Sequence, residues 1–545
     1  MTPPLHVRWL GRVPYGEGDV LQRALHERSA DDYLLLLEHD PVYTMGSRAD
    51  PSHVLTPPAV VGADLVHCDR GGDVTYHGPG QLVGYPIITL PGWADGLRDV
   101  VGYVRRLEAV LIGALADLGV EAERRARLTG VWVGDEKIAA IGVRVARGRT
   151  RHGFALNVAP DLTMFSHIVP CGIADKGVTS LAALLGTAPP LNEVLDRVVA
   201  RFASEFEYTA IDRQAVTGPA GAAETVQAAS AGSNGRRLIA RLAAADVMAS
   251  ADVEDAPRPA WMRVRARLGP EFRGVQRLMR TLDLHTVCEE AGCPNIYECW
   301  ADRTATVMIL GDRCTRACGF CLVQTGRPTG VDVDEPGRVA EAVAALGLAH
   351  VVITSVARDD VPDGGASIFA ETVRAIRGRT PGTQIELLIP DCKGNSDALA
   401  SIFDERPDVL NHNLETVARL QRALRPNAGY SRSLSVLARA KDDGLTTKSG
   451  IILGLGEDPA EVRGAIADLR HVGVDILTLG QYLRPSAQHA PVVRWWTPEE
   501  FDELGRHARD LGFAHVEAGP LVRSSYHARR AADAASAPAG ASLAV

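Results

Sequence analysis

A chain of 545 residues is longer than one hydrophobic core usually supports, so we expect at least two domains. With 46% hydrophobic residues, 23% charged residues and a net charge of −9, the composition gives no overall signal for nucleic acid or membrane binding. Nine cysteines, odd in number and mostly clustered, argue against a disulfide framework. The N-terminus lacks the apolar segment of a signal peptide and no apolar run reaches 18 residues, so we expect a cytoplasmic protein.

The first half of the chain combines helical and strand patterns without regular alternation. Apolar residues recur with helical spacing from Leu97 to Leu118, and Gly119 ends the pattern. Short runs typical of strands follow at residues 129–134, 138–146 and 153–159. We therefore expect an α+β domain with a largely antiparallel sheet.

Residues 70–81, RGGDVTYHGPGQ, are too polar and too rich in glycine for a core strand. Glycines in such a segment bring backbone N–H groups close to a ligand or to a reacting carbonyl. The alternative interpretation is an elaborate surface turn.

Lys137 and Cys171 form a candidate catalytic pair. A cysteine is a competent nucleophile only as the thiolate, and a nearby ammonium group favours that form. Such a pair can also shuttle a proton during attack and departure. The two residues are 34 positions apart, so the sequence alone does not show that they meet.

RGGDVTYHGPGQ, KIAAIG, HGFALNV and IVPCGI together resemble the octanoyl-carrier-protein:protein octanoyltransferase family, over roughly residues 5–212. The resemblance implies the fold of biotin and lipoate protein ligases and octanoyl-acyl carrier protein as the donor. It also implies that Cys171 forms the acyl thioester and that Lys137 stabilises its thiolate. The acyl site would be lined by Arg70, Gly71, Gly72, Asp73, Val74, Thr75, Tyr76, His77, Ala140, Ile141, Gly142, Gly153, Phe154 and Ala155.

Two alternatives stay open for this half. The basic run of Arg144, Arg147, Arg149 and Arg151 lies beside the predicted acyl site, where it would contact an acidic carrier protein or form a solvated hairpin. The rival activity is that of a lipoate ligase, which activates its acid with ATP and needs a lysine but no catalytic cysteine.

Residues 214–256 are rich in alanine, glycine and small polar residues, with little large apolar content to bury. We interpret them as a flexible linker between domains at 1–213 and 257–545; a helical subdomain is the alternative. The tail from about residue 529 is expected to be disordered.

The second half alternates apolar runs with amphipathic stretches. Six such runs predict six βα units and a partial, TIM-like (βα)6 barrel with a parallel sheet. The runs are residues 304–310, 350–356, 385–389, 409–414, 450–455 and 476–483.

Six of the nine cysteines form two groups of three, and three is an unusual number of ligands. The groups are Cys288, Cys293 and Cys299, followed by Cys314, Cys318 and Cys321. A structural zinc site closes with four ligands, and a ferredoxin cluster normally takes four cysteines. The second group would hold three irons of a 4Fe-4S cluster and leave the fourth open to a small molecule. The alternatives are buried or zinc-bound cysteines, or an iron-sulfur scaffold or electron carrier with saturated clusters.

DRCTRACGFC resembles the signature of radical S-adenosylmethionine enzymes, and LHTVCEEAGCPNIYECW with VRSSYHA resembles lipoyl synthase, over about residues 258–528. The resemblance implies S-adenosylmethionine and two 4Fe-4S clusters as cofactors. Cys288, Cys293 and Cys299 would hold the auxiliary cluster, with Ser525 favoured over Ser524 as its fourth ligand. Asp363, Gly364 and Gly365 would contact the amino group of S-adenosylmethionine, or form a plain turn.

The two resemblances describe consecutive reactions, which favours a bifunctional enzyme of lipoyl cofactor biosynthesis. One half would transfer octanoyl to a lysine, and the other would insert two sulfur atoms into the same chain. The expected acceptors are lipoyl domains of 2-oxoacid dehydrogenase complexes and the glycine cleavage H protein. We also expect an electron donor such as ferredoxin or flavodoxin, and neither a nucleic acid nor a membrane partner.

Overall fold

The computed structural model describes residues 4–92, 99–172, 176–216, 231–247, 258–263, 269–290, 292–301 and 305–536. The chain divides into two compact units, Met1–Glu224 and Thr225–Val545. Among the described helices, none combines the length and the apolar character that crossing a membrane requires.

The first unit is built on one large mixed sheet and one small sheet. Its strands are β1 (Leu5–Val13), β2 (Tyr33–His39), β3 (Val42–Met45), β4 (Asp64–His67), β5 (Val74–His77), β6 (Gln81–Ile87), β7 (Glu123–Arg125), β8 (Leu128–Val133), β9 (Glu136–Ala146), β10 (Arg149–Asn157), β11 (Gly177–Val178) and β12 (Ile211–Ala215). The large sheet has the order β12-β1-β2-β6-β10-β9-β8-β7, with β11 paired to β9, and the small sheet has the order β4-β3-β5. Along the large sheet, the neighbouring strands β2, β6, β10, β9, β8 and β7 are antiparallel to one another, whereas β1 is parallel to both β2 and β12. This largely antiparallel sheet with helices confirms the predicted α+β class.

Helices cover the large sheet and supply much of its core. They are α1 (Tyr15–Arg28), α2 (Val100–Asp117), α3 (Leu181–Leu185) and α4 (Leu191–Glu205). The helix predicted over residues 97–118 is α2, which begins after Asp99, whose carboxylate accepts a hydrogen bond from Gly102 N at 2.6 Å. The apolar faces of α2 and α4 pack together with strand residues in one core cluster.

The predicted linker is not uniform in the structure. Gln214 and Ala215 complete β12, and helix α5 (Ala231–Ala244) belongs to the second unit, where Leu238 and Leu242 are buried. The rest of the predicted linker, residues 217–230 and 248–256, lies outside the described residues.

The second unit contains an eight-stranded sheet that fits the predicted TIM-like architecture. Its order is that of β13 (His285–Thr286), β14 (Thr306–Ile309), β17 (His350–Ser355), β18 (Gln384–Leu388), β19 (Val409–Asn411), β20 (Thr447–Leu453), β21 (Ile476–Gln481) and β22 (His515–Ala518). Every pair from β14 to β22 is parallel, and only β13 is antiparallel to its neighbour. The six predicted runs correspond to β14 and β17–β21, and the sequence analysis missed β13 and β22. Two short strands, β15 (Arg313–Cys314) and β16 (Gln324–Thr325), pair separately.

Helices alternate with these strands, as the amphipathic stretches predict. They are α6 (Pro270–Thr281), α7 (Val287–Glu290), α8 (Ile296–Ala301), α9 (Glu335–Leu346), α10 (Ala366–Arg379), α11 (Ser396–Phe403), α12 (Gln421–Leu424), α13 (Tyr430–Asp442), α14 (Pro459–His471), α15 (Pro498–Asp510) and α16 (Ala528–Ser536).

The tail differs from its expectation. Residues 528–536 form α16, whose Ala531 and Ala532 are buried in a cluster with Val409 and Ile476. Small alanine side chains let this helix approach the sheet closely, so the described part of the tail is ordered by packing. Residues 537–545 lie outside the described residues.

Candidate active sites

The glycine-rich segment of the first unit lies against β9. Gly71 N donates to Val143 O at 3.0 Å, and a Cβ added to Gly142 would lie 2.8 Å from Gly71 O. Arg70 is buried and donates to Thr44 O at 2.6 Å, so it anchors the segment. The backbone of this segment can therefore approach a ligand on β9 closely.

The two predicted acyl-site segments on β9 and β10, residues 140–142 and 153–155, lie directly opposite each other. The antiparallel register of β9 and β10 pairs Gly142 with Gly153, Ile141 with Phe154, and Ala140 with Ala155. The structure thus brings together the three segments assigned to the acyl site.

A buried chain of polar side chains extends from this segment. His77 Nδ1 lies 2.7 Å from Gln81 Oε1, and Gln81 Nε2 donates to Asn157 Oδ1 at 2.9 Å. Because the Gln81 oxygen must accept, His77 carries its proton on Nδ1. Burial is the main cause that lowers the pKa of His77 to about 3, and the nearby His39 and Arg70 lower it further. This ring is therefore neutral.

Lys137 and Cys171 occupy neighbouring segments but do not contact each other through a hydrogen bond. Lys137 is buried, and its Nζ lies 4.9 Å from the centre of the Trp132 ring. Cys171 is partly exposed in the turn Pro170–Gly172, with a φ of 55°. Val178 of β11 pairs with Lys137, which brings the segment after Cys171 alongside β9. Residues 173–175 lie outside the described residues.

The basic run is mostly committed to internal pairs. Arg151 is buried and pairs with Asp69, and Arg144 lies 3.0 Å from the same carboxylate. Arg149 donates to Thr89 Oγ1 at 2.8 Å and to Asp31 O at 2.9 Å. Arg147 is exposed. The structure therefore favours a hairpin held by ion pairs over a free basic patch.

A histidine that the sequence analysis did not single out also lies at the Cys171 turn. His53 Nδ1 is 2.5 Å from Asp73 Oδ2, and both side chains are close to Gly172. A lone histidine in PSHVL, 118 positions before the cysteine, carries no spacing signal that would have identified it.

In the second unit five of the six clustered cysteines line one cavity of about 600 Å³. Its lining includes Cys288, Cys293, Cys314, Cys318 and Cys321. Cys299 does not line the cavity and packs against the core cluster beside it.

The second cysteine group has the donor set of a three-thiolate cluster site. Cys314 Sγ accepts hydrogen bonds from Ala357 N at 3.3 Å and Arg316 N at 3.4 Å. Burial, together with the neighbouring thiols, raises the pKa of Cys318 to about 11 and that of Cys321 to about 12. Three soft donors that repel one another as thiolates fit a cationic iron cluster, which removes this repulsion.

The RSSY segment at residues 523–526 lies over the first cysteine group. Burial raises the pKa of the Cys293 thiol, and the buried Arg523 guanidinium opposes this shift. Tyr526 Oη donates to Glu298 at 3.4 Å, one residue before Cys299. Cys288, Cys293 and Ser525 line the same cavity, and thiolates with a hydroxyl are a donor set that fits an iron-sulfur cluster.

The two serines of this segment have different surroundings. Ser524 Oγ accepts from Asn411 Nδ2 at 2.9 Å and donates to Asn413 Oδ1 at 3.2 Å. Ser525 also lines the cavity, and its hydroxyl makes no hydrogen bond with any residue the structure describes.

Asp363, Gly364 and Gly365 have a local structural role. The Asp363 carboxylate accepts from Gly365 N at 2.9 Å and Ser367 N at 2.8 Å, which stabilises the turn that leads into α10. These three residues are not among the described residues that line the cavity, so their contact with S-adenosylmethionine stays a prediction. The polar residues that do line it, and that the sequence analysis left without roles, include His412, Asn413, Glu415 and Arg425.

The comparisons with known proteins match both halves of the chain. Residues 18–203 match the lipoyl protein ligase A/B catalytic domain, and residues 308–469 match the radical SAM superfamily. Lipoyl synthase of Mycobacterium avium (strain 104) is 59% identical over 281 residues, which cover 52% of this chain and 92% of that protein. Lipoyl synthase of Rubrobacter xylanophilus is 58% identical over 273 residues, which cover 50% and 85%.

Solved structures similar to the chain include a bi-partite lipoate protein ligase from Thermoplasma acidophilum and the biotin protein ligase from Aquifex aeolicus. The first is 17% identical and covers 39% of this chain and 88% of that one, with a TM-score of 0.32. The second is 13% identical and covers 38% and 70%, with a TM-score of 0.24.

These matches place the second unit in a family whose members use S-adenosylmethionine and two 4Fe-4S clusters, and the cysteine-lined cavity fits those cofactors. They place a domain of the lipoate ligase and octanoyltransferase type in front of it. The chain therefore belongs to the lipoyl synthase family and is a bifunctional enzyme of lipoyl biosynthesis.

Proposed function

We propose that the first unit is an octanoyltransferase that works through a thioester on Cys171. The observation that supports this proposal is that one unit contains the glycine-rich segment, the opposed segments 140–142 and 153–155, and the Cys171 turn. Cys171 would attack the thioester carbonyl of octanoyl-acyl carrier protein, and an acceptor lysine would then take the acyl group. Lys137, buried on the strand beside β11, would favour the thiolate by its charge.

Cys171→Ser distinguishes this activity from that of an ATP-dependent lipoate ligase. Transfer from octanoyl-acyl carrier protein to a lipoyl domain should fall to near background in the variant, measured by mass spectrometry of the acceptor. Cys68→Ser is the matched control, because Cys68 is also a partly exposed thiol of this unit. ATP-dependent activity that survives in Cys171→Ser would instead establish a ligase.

We propose that the second unit inserts two sulfur atoms into the protein-bound octanoyl chain. When bound, the cluster with S-adenosylmethionine supplies a carbon-centred radical that can remove hydrogen from unactivated methylene groups. Cys314, Cys318 and Cys321 would hold three irons and leave the fourth to the small molecule.

The auxiliary cluster would be held by Cys288, Cys293, Cys299 and Ser525. Ser524 is already engaged by two asparagines, which supports Ser525 as the fourth ligand. A hard alkoxide is a poor partner for iron beside soft thiolates, so a cluster with this ligand should come apart readily, as suits a sulfur source. Anaerobic reconstitution should give about eight irons per chain, since each of two 4Fe-4S clusters contains four. About four would refute the second cluster.

The protein substrates of this enzyme class are lipoyl domains. We propose as acceptors the lipoyl domains of 2-oxoacid dehydrogenases and the glycine cleavage H protein, with ferredoxin or flavodoxin as electron donor. A reducing cytoplasm suits the nine free cysteines and would be the setting.

A further inference from the structure

A bulge in β9 places Lys137 opposite Trp132. Val131 on β8 opposes Ala139 on β9, whereas the next residue, Trp132, opposes Lys137. Regular pairing would set Trp132 against Ile138, so Ile138 is the extra residue of a β-bulge. Residues that oppose each other in an antiparallel pair share one face of the sheet, so the bulge brings the lysine side chain beside the indole ring.

Gly130 leaves room for the stem of the lysine side chain. Its φ is 122°, and a Cβ added to it would lie 2.6 Å from Ala139 O and 3.5 Å from Lys137 Cε. Gly130 N also donates to Glu108 Oε1 at 3.2 Å, and the Glu108 side chain is fully buried on α2. Because a side chain at this position would strike the β9 backbone, the glycine lets the lysine stem pass close to β8.

The Trp132 ring is the neighbour that compensates for the burial of the Lys137 ammonium. Lys137 is 7% exposed, and its Nζ lies 4.9 Å from the centre of the ring. It forms no ion pair or side-chain hydrogen bond within the part of the chain that the structure describes. An uncompensated buried ammonium is costly, whereas the face of an indole ring attracts a cation within about 6 Å. The other cation near this ring, Arg125, is already paired with Asp135, so Lys137 is the charge that depends on the ring.

Lys137 lies between the strand of Trp132 and the segment that follows the proposed nucleophile. Val178 of β11 pairs with Lys137, and Thr179 N donates to Lys137 O at 3.1 Å. The strand β9 therefore has Trp132 on one side of the lysine and the continuation of the Cys171 turn on the other. A residue that holds the lysine from β8 can thus control the charge that this turn experiences.

We propose that Trp132 is a positioning residue for the acyl transfer: its ring holds the Lys137 ammonium in place and so sustains the Cys171 thiolate. This role rests on the proposed thioester mechanism, in which the lysine charge favours the thiolate. Trp132 acts through the lysine and takes no part in the bond changes. Removing the ring would leave the lysine charge without its partner and lower the fraction of reactive sulfur.

Alkylation of Cys171 by iodoacetamide tests this role without any substrate, because the thiolate is the reacting form. In the full chain at pH 7, peptide mapping follows Cys171, and Cys68 in the same unit serves as the internal reference. Trp132→Leu and Trp132→Met remove the aromatic face, whereas Trp132→Phe retains one. Each aliphatic variant should slow Cys171 about tenfold relative to Cys68, and Trp132→Phe should slow it by less than about threefold.

Two further variants separate the contact with the lysine from simple packing. In Lys137→Met the ring has no cation to hold, so adding Trp132→Leu should not slow Cys171 further. Trp9→Leu is the matched control, because Trp9 is a partly buried tryptophan on β1 of the same sheet, and it should leave the rate unchanged. Hydrogen exchange of peptides covering β8 verifies the fold of each variant. If Trp132→Leu loses protection, Trp132→Met, whose longer side chain fills more of the space, carries the comparison.

Single-turnover transfer from octanoyl-acyl carrier protein gives a second readout. Trp132→Leu should lower the maximum rate about tenfold while KM changes less than about twofold, because the ring acts on the nucleophile and not on donor binding. Equal slowing of Cys171 in Trp132→Leu and Trp132→Phe would assign the ring to core packing and overturn the proposal, as would further slowing in the Lys137→Met background. If the wild-type chain forms no acyl-Cys171, the thioester mechanism itself fails, whatever the alkylation series shows.

Discussion

Ser524 and Ser525 are adjacent in sequence but differ in what their hydroxyl groups contact. Ser524 is held by Asn411 and Asn413, whereas Ser525 lines the cavity without a hydrogen bond to a described residue. The asparagines therefore fix the segment, and the second serine is available to iron. Ser524 would then anchor the segment, and Ser525 would be the proposed ligand.

Replacing the proposed serine ligand Ser525 by a cysteine should stabilise the auxiliary cluster. In Ser525→Cys, a soft donor replaces a hard one, so iron loss to a chelator should slow and sulfur insertion in a single turnover should decrease. Ser524→Cys is the matched control and should not slow iron loss. The reverse pattern would identify Ser524 as the ligand.

Sequence motifs predicted contiguous parts of the sites better than pairings between distant residues. The triplets 140–142 and 153–155 meet because antiparallel strands fix their register, and short motifs record this pairing. The meeting of His53 with the Cys171 turn depends on a bridge between loops, which leaves no periodic trace in the sequence. The contact of RSSY with the first cysteine group likewise depends on how the chain returns to the barrel, and only the family resemblance anticipated it.

At the scale of elements, three neighbouring strands of the second sheet share a buried polar contact. Glu386 on β18 lies 2.9 Å from Lys448 Nζ on β20, and both side chains are fully buried. Asn411, on β19 between them, donates to Glu386 Oε1 at 2.9 Å and also to Ser524. The apolar runs predicted these strands but not the charges within them, because each charge is compensated only after the strands pair.

Removing one member of this pair should destabilise the sheet more than replacing both. Lys448→Met leaves the Glu386 carboxylate buried without its cation, which typically costs about 3–5 kcal/mol. The double variant Glu386→Gln/Lys448→Met should recover much of this loss. Hydrogen exchange of peptides covering β18 and β20 in the full chain measures the loss of stability in Lys448→Met and its recovery in the double variant. A double variant that exchanges as fast as Lys448→Met would show that the pair does not act as a unit.

The edge strand β12 should be sensitive to acid. Asp212 on this strand lies 2.8 Å from His6 Nδ1 and 2.6 Å from an Arg8 nitrogen on β1. Burial alone raises the pKa of Asp212, but these hydrogen bonds and charges outweigh it and lower the pKa from 3.8 to about 2. A lowered folded-state pKa means that the stabilisation is present above pH 3.8 and is lost as the pH falls towards 2.

Hydrogen exchange of residues 211–215, corrected for the intrinsic effect of pH, should therefore accelerate between pH 4 and pH 2. Asp212→Asn should exchange faster at pH 6 and show little further change in acid. An identical acid response in the variant would assign the effect to another group.

The strands that the sequence analysis missed are short and carry charges. β22 reads HVEA, and its His515 and Glu517 side chains lie 3.1 Å apart. A search for apolar runs passes over such a strand, because the parallel neighbour β21 supplies its hydrogen bonds. The long apolar strands, which are buried on both faces, were the ones that periodicity could predict.

At the scale of the whole molecule, the segment between the two units is shorter than the linker predicted at residues 214–256, because β12 and α5 take up part of that range. Leu238 of α5 lies close to Gly319, between Cys318 and Cys321, since a Cβ added there would be 2.7 Å from Leu238 Cδ1. Arg241 also donates to Ala423 O at 3.1 Å. Helix α5 of the predicted linker thus helps to cover the loop that carries Cys318 and Cys321, and residues 217–230 remain between the described parts.

Cleaving the chain within residues 217–230 tests what the fusion contributes. A protease site inserted there separates the units after both have folded. Joining two modules raises their mutual effective concentration to about millimolar, but the octanoyl intermediate is carried by a third protein. We therefore expect uncleaved enzyme to lipoylate an acceptor only a few times faster than cleaved enzyme at nanomolar concentration, well below the 10²- to 10⁴-fold gain of directly linked binding sites. The difference should vanish as enzyme concentration rises, because free units then find the acceptor equally fast. The same chain treated with inactive protease is the control, and equal rates at every concentration would show that covalent linkage has no kinetic role.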